Sequence, residues 1–142
     1  MNDQGGTYSA RTGMIEVAVR PLFLEDQSDP VAGRYVWAYH ITLTNHCDDD
    51  TSPAARVQLK SRHWVITDAL GRTEEVRGSG VVGEHPVLLC GDSYSYTSGV
   101  PLSTPSGIMR GSFQMVDAAG HGFDIEIPAF SLDCPYDAPS VN

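Results

Sequence analysis

The chain has 142 residues, a formal charge of -9 and a pI near 4.7. Its length suits one domain with a core of its own, and 41% hydrophobic with 19% charged residues excludes wholesale disorder. The Lys and Arg residues number nine against eighteen Asp and Glu and are scattered, which argues against a nucleic-acid backbone as partner.

Residues 1–13 are small and polar and read as a flexible leader without the apolar segment of a secretory signal. A first strand comes next, with Ile15, Val17 and Val19 alternating against Glu16, Ala18 and Arg20. Pro21 places it at an edge or ends it. Glu25 to Pro30 is rich in turn formers. The next strand has the clearest period of two: Tyr35, Trp37, Tyr39, Ile41 and Leu43 share one face. Trp37 is therefore expected in the core.

His46 to Pro53 is a polar loop. From Ala55 to Asp68 the alternation slips: Val57 and Leu59 hold one parity, Trp64 and Ile66 the other. A β-bulge between Lys60 and His63 accounts for the slip. Thr73 to Arg77 pairs back with Val76 inward, and Val87 to Leu89 is a short apolar run before a turn at Cys90 to Asp92. Strands are expected over Ser93–Ser98 and Ser112–Val116. In the last strand Phe123, Ile125 and Ile127 oppose Asp124, Glu126 and Pro128. Short strands with turn signals between them, and no helical period, predict an all-β chain folded as an antiparallel sandwich, fibronectin-III-like or immunoglobulin-like. The domain is expected over residues 14–132, with 133–142 as a loose tail.

Three cysteines, Cys47, Cys90 and Cys134, lack zinc-like spacing and read as free thiols in a reducing cytoplasm. No apolar run is long enough for membrane insertion by a helix.

Several segments resemble ApaG proteins. They are Val57-Gln58-Leu59-Lys60-Ser61-Arg62-His63-Trp64, then Gly80-Val81-Val82-Gly83-Glu84-His85-Pro86-Val87-Leu88, then Tyr96-Thr97-Ser98-Gly99 and Leu102 to Phe113. The closing strand from Phe123 to Leu132 is similar too, so the resemblance spans about Met14 to Leu132. It implies a fibronectin-III-like sandwich and an association with cobalt resistance and magnesium efflux in bacteria. The same domain occurs in eukaryotic F-box proteins and in a polymerase-interacting protein, as an interaction module. No established catalysis comes with it. Lys60 and Cys90 stand where family members often carry Leu and Pro.

Four constellations bear on chemistry. Gly78, Gly80 and Gly83 form a G-x-G-x-x-G string, and with Arg77 they are the candidate anion or nucleotide site. A dinucleotide fold would open a helix after them, whereas Glu84-His85-Pro86 comes next here; glycines that permit positive φ or close approach explain the string structurally. The loop His46 to Asp50 offers metal-ligand types without metal spacing, and no metal site or cofactor is expected. Asp124 and Glu126 share a face, as acid–base pairs and ordinary polar faces both do. Arg62, His63 and Trp64 crowd the expected bulge and are the candidate interaction surface; Trp64 in the core under Arg62 is the competing reading. No hydrolase, metalloprotease or P-loop signature is present. The chain therefore reads as a non-enzymatic binding module with a protein partner and room for weak self-association, with nucleotide or pyrophosphate binding, or an enzyme built on the same glycine turn, as the alternative.

Overall fold

The computed structural model describes residues 6–135. Its strands are β1 (Tyr8–Thr12), β2 (Ile15–Phe23), β3 (Tyr35–Asn45), β4 (Arg56–Asp68), β5 (Thr73–Ser79), β6 (Val87–Leu89), β7 (Ser93–Leu102), β8 (Ser106–Val116) and β9 (Gly122–Asp133). Among the described residues there is no α-helix, only three short 3-10 turns. The first sheet is ordered β1-β2-β3-β7, the second β5-β4-β8-β9 with β6 also on β4, and every pairing is antiparallel. This is the antiparallel sandwich expected.

The alternation on β3 does what its period requires. Trp37, Tyr39, Ile41 and Leu43 are buried between the sheets with Ile15, Val17 and Val19 of β2. The second sheet answers with Leu59, Trp64, Phe113, Met115, Ile125 and Phe130. Each such burial contributes about 1.5–3 kcal/mol. Tyr39 and Trp64 meet edge to face across the sheets at 5.3 Å, and Phe130 stands 5.9 Å from Trp64. The buried end of Trp37 is not left polar and unpaired: its Nε1 donates to Asp133 O at 3.0 Å.

The parity slip on β4 is a bulge. The register against β8 shifts between Leu59 and Ser61, leaving Lys60 unmatched. A second shift lies between β8 and β9, where Met109 opposes Phe130 but Gly111 opposes Ile127. Pro128, expected outward, is buried there; a bulge tolerates a residue with no N–H to give the ladder.

Several boundaries differ from expectation; β7, expected to stop at Ser98, runs to Leu102. Tyr8–Thr12, placed in the leader, pairs with β2 as an edge strand. Its inner side is only half-buried, so it lacks the apolar alternation that marks a strand. Pro21 lies within β2 beyond the reach of β1, whose pairing stops at Val19, so its missing N–H costs no ladder bond on that side. Strand β8 starts at Ser106, six residues earlier than its apolar part suggests. At the other end β9 runs to Asp133, and Cys134 N donates to Pro105 O at 2.9 Å. The tail expected over 133–142 otherwise falls outside the described residues from 136 onward.

Candidate binding face

The bulge at Lys60 decides which side chains of β4 face which way. Beyond it, Arg62, Trp64 and Ile66 share the inner parity, and Ser61 and His63 share the outer one. Strand register then assembles two rows across the outside of the second sheet. One is Ser79, Ser61, Gln114 and Asp124; the next is Arg77, His63, Ser112 and Glu126. Ser61 Oγ donates to Gln114 Oε1 at 2.8 Å, and Gln114 Nε2 donates to Ser112 Oγ at 2.9 Å. His63 Nε2 lies 2.8 Å from Glu75 Oε1, and Arg77 reaches the same oxygen at 3.4 Å. That hydrogen bond from His63, followed by its charge, holds the Glu75 carboxyl below its usual range.

The rows line a shallow open depression of about 530 Å³, and a smaller one of about 230 Å³ adjoins it through His63 and Ser112. The rims carry both signs of charge: Lys60, Arg77 and Arg110 beside Asp124 and Glu126.

The glycine string closes the edge of this face. Gly78, next to last in β5, lies opposite Arg62, and a Cβ there would stand 2.7 Å from the guanidinium carbon. Arg62 uses that clearance to donate from Nη1 to Gly80 O at 2.7 Å and Ser79 O at 3.1 Å. Gly80 has φ +63, and a Cβ on it would run into Glu84 O. Val81 and Glu84 then exchange two backbone hydrogen bonds of 2.8 Å around Val82 and Gly83, whose φ values are +42 and +82. Two positive φ values in a two-residue loop are the pattern of a type I′ hairpin turn. Val81 is buried beneath the turn, while Val82 is 55% exposed at its tip. A β-branched residue in the left-handed region costs about 1–2 kcal/mol.

A phosphate cradle needs N–H groups free to point at an anion. Here Gly80 N donates to Lys60 O at 2.9 Å, and Val81 N and Glu84 N donate within the turn. Arg77 points to the outer face, away from Arg62, and is paired with Glu75. Of the four, Arg77 and Gly78 border the same depression, whereas Gly80 and Gly83 shape the turn at its edge.

The candidate interaction surface divides in the same way. His63 belongs to the outer face, but Trp64 is 2% exposed and packed on Tyr39 and Phe130. Trp64 as a surface anchor is thus corrected: it is core. Arg62 is half-buried, and its charge acts on the hydroxyls of Tyr39 and Tyr96, which burial pushes up. Among the described residues Trp64 Nε1 and Tyr96 Oη have no hydrogen-bond partner.

The face also includes Ser79, Ser112 and Gln114, which the linear sequence does not mark. Only register across strands brings them together. The histidines go to separate partners: His46 to Glu16, His40 to Thr97, His85 to Ser79, and His121 toward Asp117 at 4.0 Å. Among the described residues no three His, Cys, Asp or Glu side chains are grouped to hold a metal ion. No helix among them is long and apolar enough to cross a membrane.

Fold and face together define a β-sandwich domain with a polar, recessed outer surface and a tight glycine turn at its edge. The sequence profile of the ApaG domain matches residues 25–117. A protein ApaG of Paramagnetospirillum magneticum is 55% identical over 135 residues, 95% of this chain and 99% of that one. Another, from Mesorhizobium japonicum, is 58% identical over the same shares. A crystal structure from Bordetella pertussis, described as an ApaA protein, superposes with a TM-score of 0.79 at 43% identity, covering 86% of this chain and 94% of that one. The chain belongs to the ApaG family.

Proposed function

We propose that this chain is a non-enzymatic binding module that receives a protein partner on the outer face of its second sheet. We further propose that it works in the cytoplasm and serves Co2+ resistance and Mg2+ efflux, as the ApaG resemblance implies. The observation that carries the reading is the depression of about 530 Å³, lined by hydroxyls, an amide, an imidazole and ions of both signs. Mixed-sign polar surface of this kind complements a polar protein surface and selects partners by charge register. The carboxylates whose titration departs from the ordinary, Asp49, Asp68 and Glu75, are all lowered. A general acid needs the opposite shift.

The test uses three baits in a native lysate: wild type, Arg77→Glu on the second sheet, and Thr42→Lys on the first, each checked for an unchanged circular dichroism spectrum. A partner held by wild type and Thr42→Lys but lost from Arg77→Glu is expected. Equal capture by all three would remove the face from consideration. A saturable rise in Tm with millimolar ATP, lost in Arg77→Ala, would place nucleotide binding above partner binding.

A further inference from the structure

Strand β3 ends at Asn45 and β6 ends at Leu89, and backbone hydrogen bonds clamp the two strand ends together. Asn45 N donates to Asp92 O at 2.9 Å, and Gly91 N donates to Asn45 O at 2.8 Å. Asn45 is wholly buried; its Nδ2 donates to Ala54 O and Leu88 O, and its Oδ1 accepts from Cys47 N at 3.0 Å. Asp92 Oδ2 accepts from Leu89 N at 2.9 Å. This frame sets the directions in which Cys47 and Cys90 leave the backbone, and they leave toward each other. The Cys90 thiol donates to Cys47 Sγ at 2.6 Å, and the Cys47 thiol donates onward to Asp49 O at 3.2 Å. Cys47 is buried and Cys90 half-buried. The third thiol, Cys134, lies apart, against the core beside Pro105.

We propose that Cys47 and Cys90 are a modification site, an intramolecular disulfide formed by exchange with a small organic disulfide such as oxidised glutathione. Cys90, the more accessible, attacks first as its thiolate: a bond forms between Cys90 Sγ and one sulfur of the small disulfide, and the other sulfur leaves as a thiolate. The Cys47 thiolate then attacks Cys90 Sγ and expels the second small thiolate. The protein gives up two protons and two electrons, and the small disulfide takes both and leaves as two thiols.

The hydrogen bond to Cys47, followed by burial, pushes the Cys90 thiol up to about 11. Thiolate is therefore scarce at neutral pH, and exchange accelerates about tenfold per pH unit below that value. The site is a slow staple rather than a fast sensor. In this structure the pair stands as two free thiols. Once made, the bond ties residues 43 apart in the chain. It restricts the unfolded ensemble, which raises Tm by roughly 10 °C for a chain of this size.

The experiment treats reduced wild-type protein with excess oxidised glutathione at pH 8.5 without air. The product is then alkylated, digested and mapped without reduction. Expected are a loss of two hydrogens in mass, a Cys47–Cys90 linked peptide, an alkylated Cys134, and a higher Tm that dithiothreitol reverses. The Cys47→Ser variant should stop at a glutathione adduct on Cys90. Alkylation of both Cys47 and Cys90 at equilibrium, a lasting adduct on wild-type Cys90, or a link to Cys134 would overturn the proposal. So would a Cys47–Cys90 link that leaves Tm unchanged or lower.

Discussion

The two outer faces of the sandwich are built from the same polar residue types and solve their hydrogen bonding differently. On the first sheet, Thr44 pairs with Ser93 at 3.0 Å, Thr42 with Ser95 at 2.8 Å and His40 with Thr97 at 2.8 Å. These are directly opposed residues in a β3–β7 register that runs unbroken from Tyr35 to Thr44. The hydroxyls spend themselves on one another, and the face is a self-satisfied ladder. On the second sheet the register breaks at Lys60 and again at Arg110. A bulge bends its strand and re-aims side chains, and here the outer rows border a depression instead of a flat ladder. Regularity leaves the first face a flat ladder; irregularity recesses the second.

The largest effect should come from removing the irregularity itself, and it falls on binding rather than on folding. Deleting Lys60 joins Leu59 to Ser61 and restores one alternation, so Val57, Leu59, Arg62, Trp64 and Ile66 all stay inward and the core survives. What is lost is the bend of the bulge and the Lys60 carbonyl that accepts from Gly80 N. The deletion variant should stay folded by circular dichroism yet fail to capture the partner that wild type and Lys60→Ala, which keeps the bulge, both hold. Capture by the folded deletion variant would show that the bulge is incidental.

Next in size is the turn at the edge of the second face. Gly80→Ala meets both a positive φ and the Glu84 carbonyl, and should destabilise by about 1–3 kcal/mol in urea denaturation. Val82→Gly should act in the opposite direction. It relieves the left-handed valine, worth about 1–2 kcal/mol, and gives back about 0.5–1 kcal/mol in chain entropy. A net gain of a few tenths of a kcal/mol is expected. If Val82→Gly is more stable yet captures less partner, the strained, exposed valine belongs to the binding face. If it is less stable, Val82 holds the turn by contacts.

How much could be read from the sequence depended on how local each cause is. The core face of β3 needs only a period of two within one segment. The bulge at Lys60 shows as a change of parity inside one strand, and the inward aim of Arg62 comes with it, since Arg62 shares parity with Trp64. The second bulge is silent because Phe123 to Ile127 alternates cleanly up to the residue before it. Strand β1 is silent because it is a polar edge held by its backbone. The face itself depends on Ser61 meeting Gln114, 53 residues away, and no local pattern encodes that. Val82 is hidden for another reason: β-branched residues argue against the φ it adopts.

The smallest effect is in pH. Glu75 accepts from His63 on the second face and is exposed to solvent. A folded-state value depressed from 4.5 means that its stabilisation is present above the ordinary glutamate range. That contribution is lost as pH falls through the depressed value. The Tm gap between wild type and Glu75→Gln should therefore be open at pH 6 and close toward pH 3. The matching change on the first face, Thr42→Val, removes a hydroxyl that does not titrate in this range, so its gap should stay constant from pH 6 to pH 3. Thermal melts of the three proteins in one buffer series make the comparison. A Glu75→Gln gap as flat as that of Thr42→Val would mean that the His63–Glu75 contact carries no stabilising charge, and that the two faces differ in shape alone.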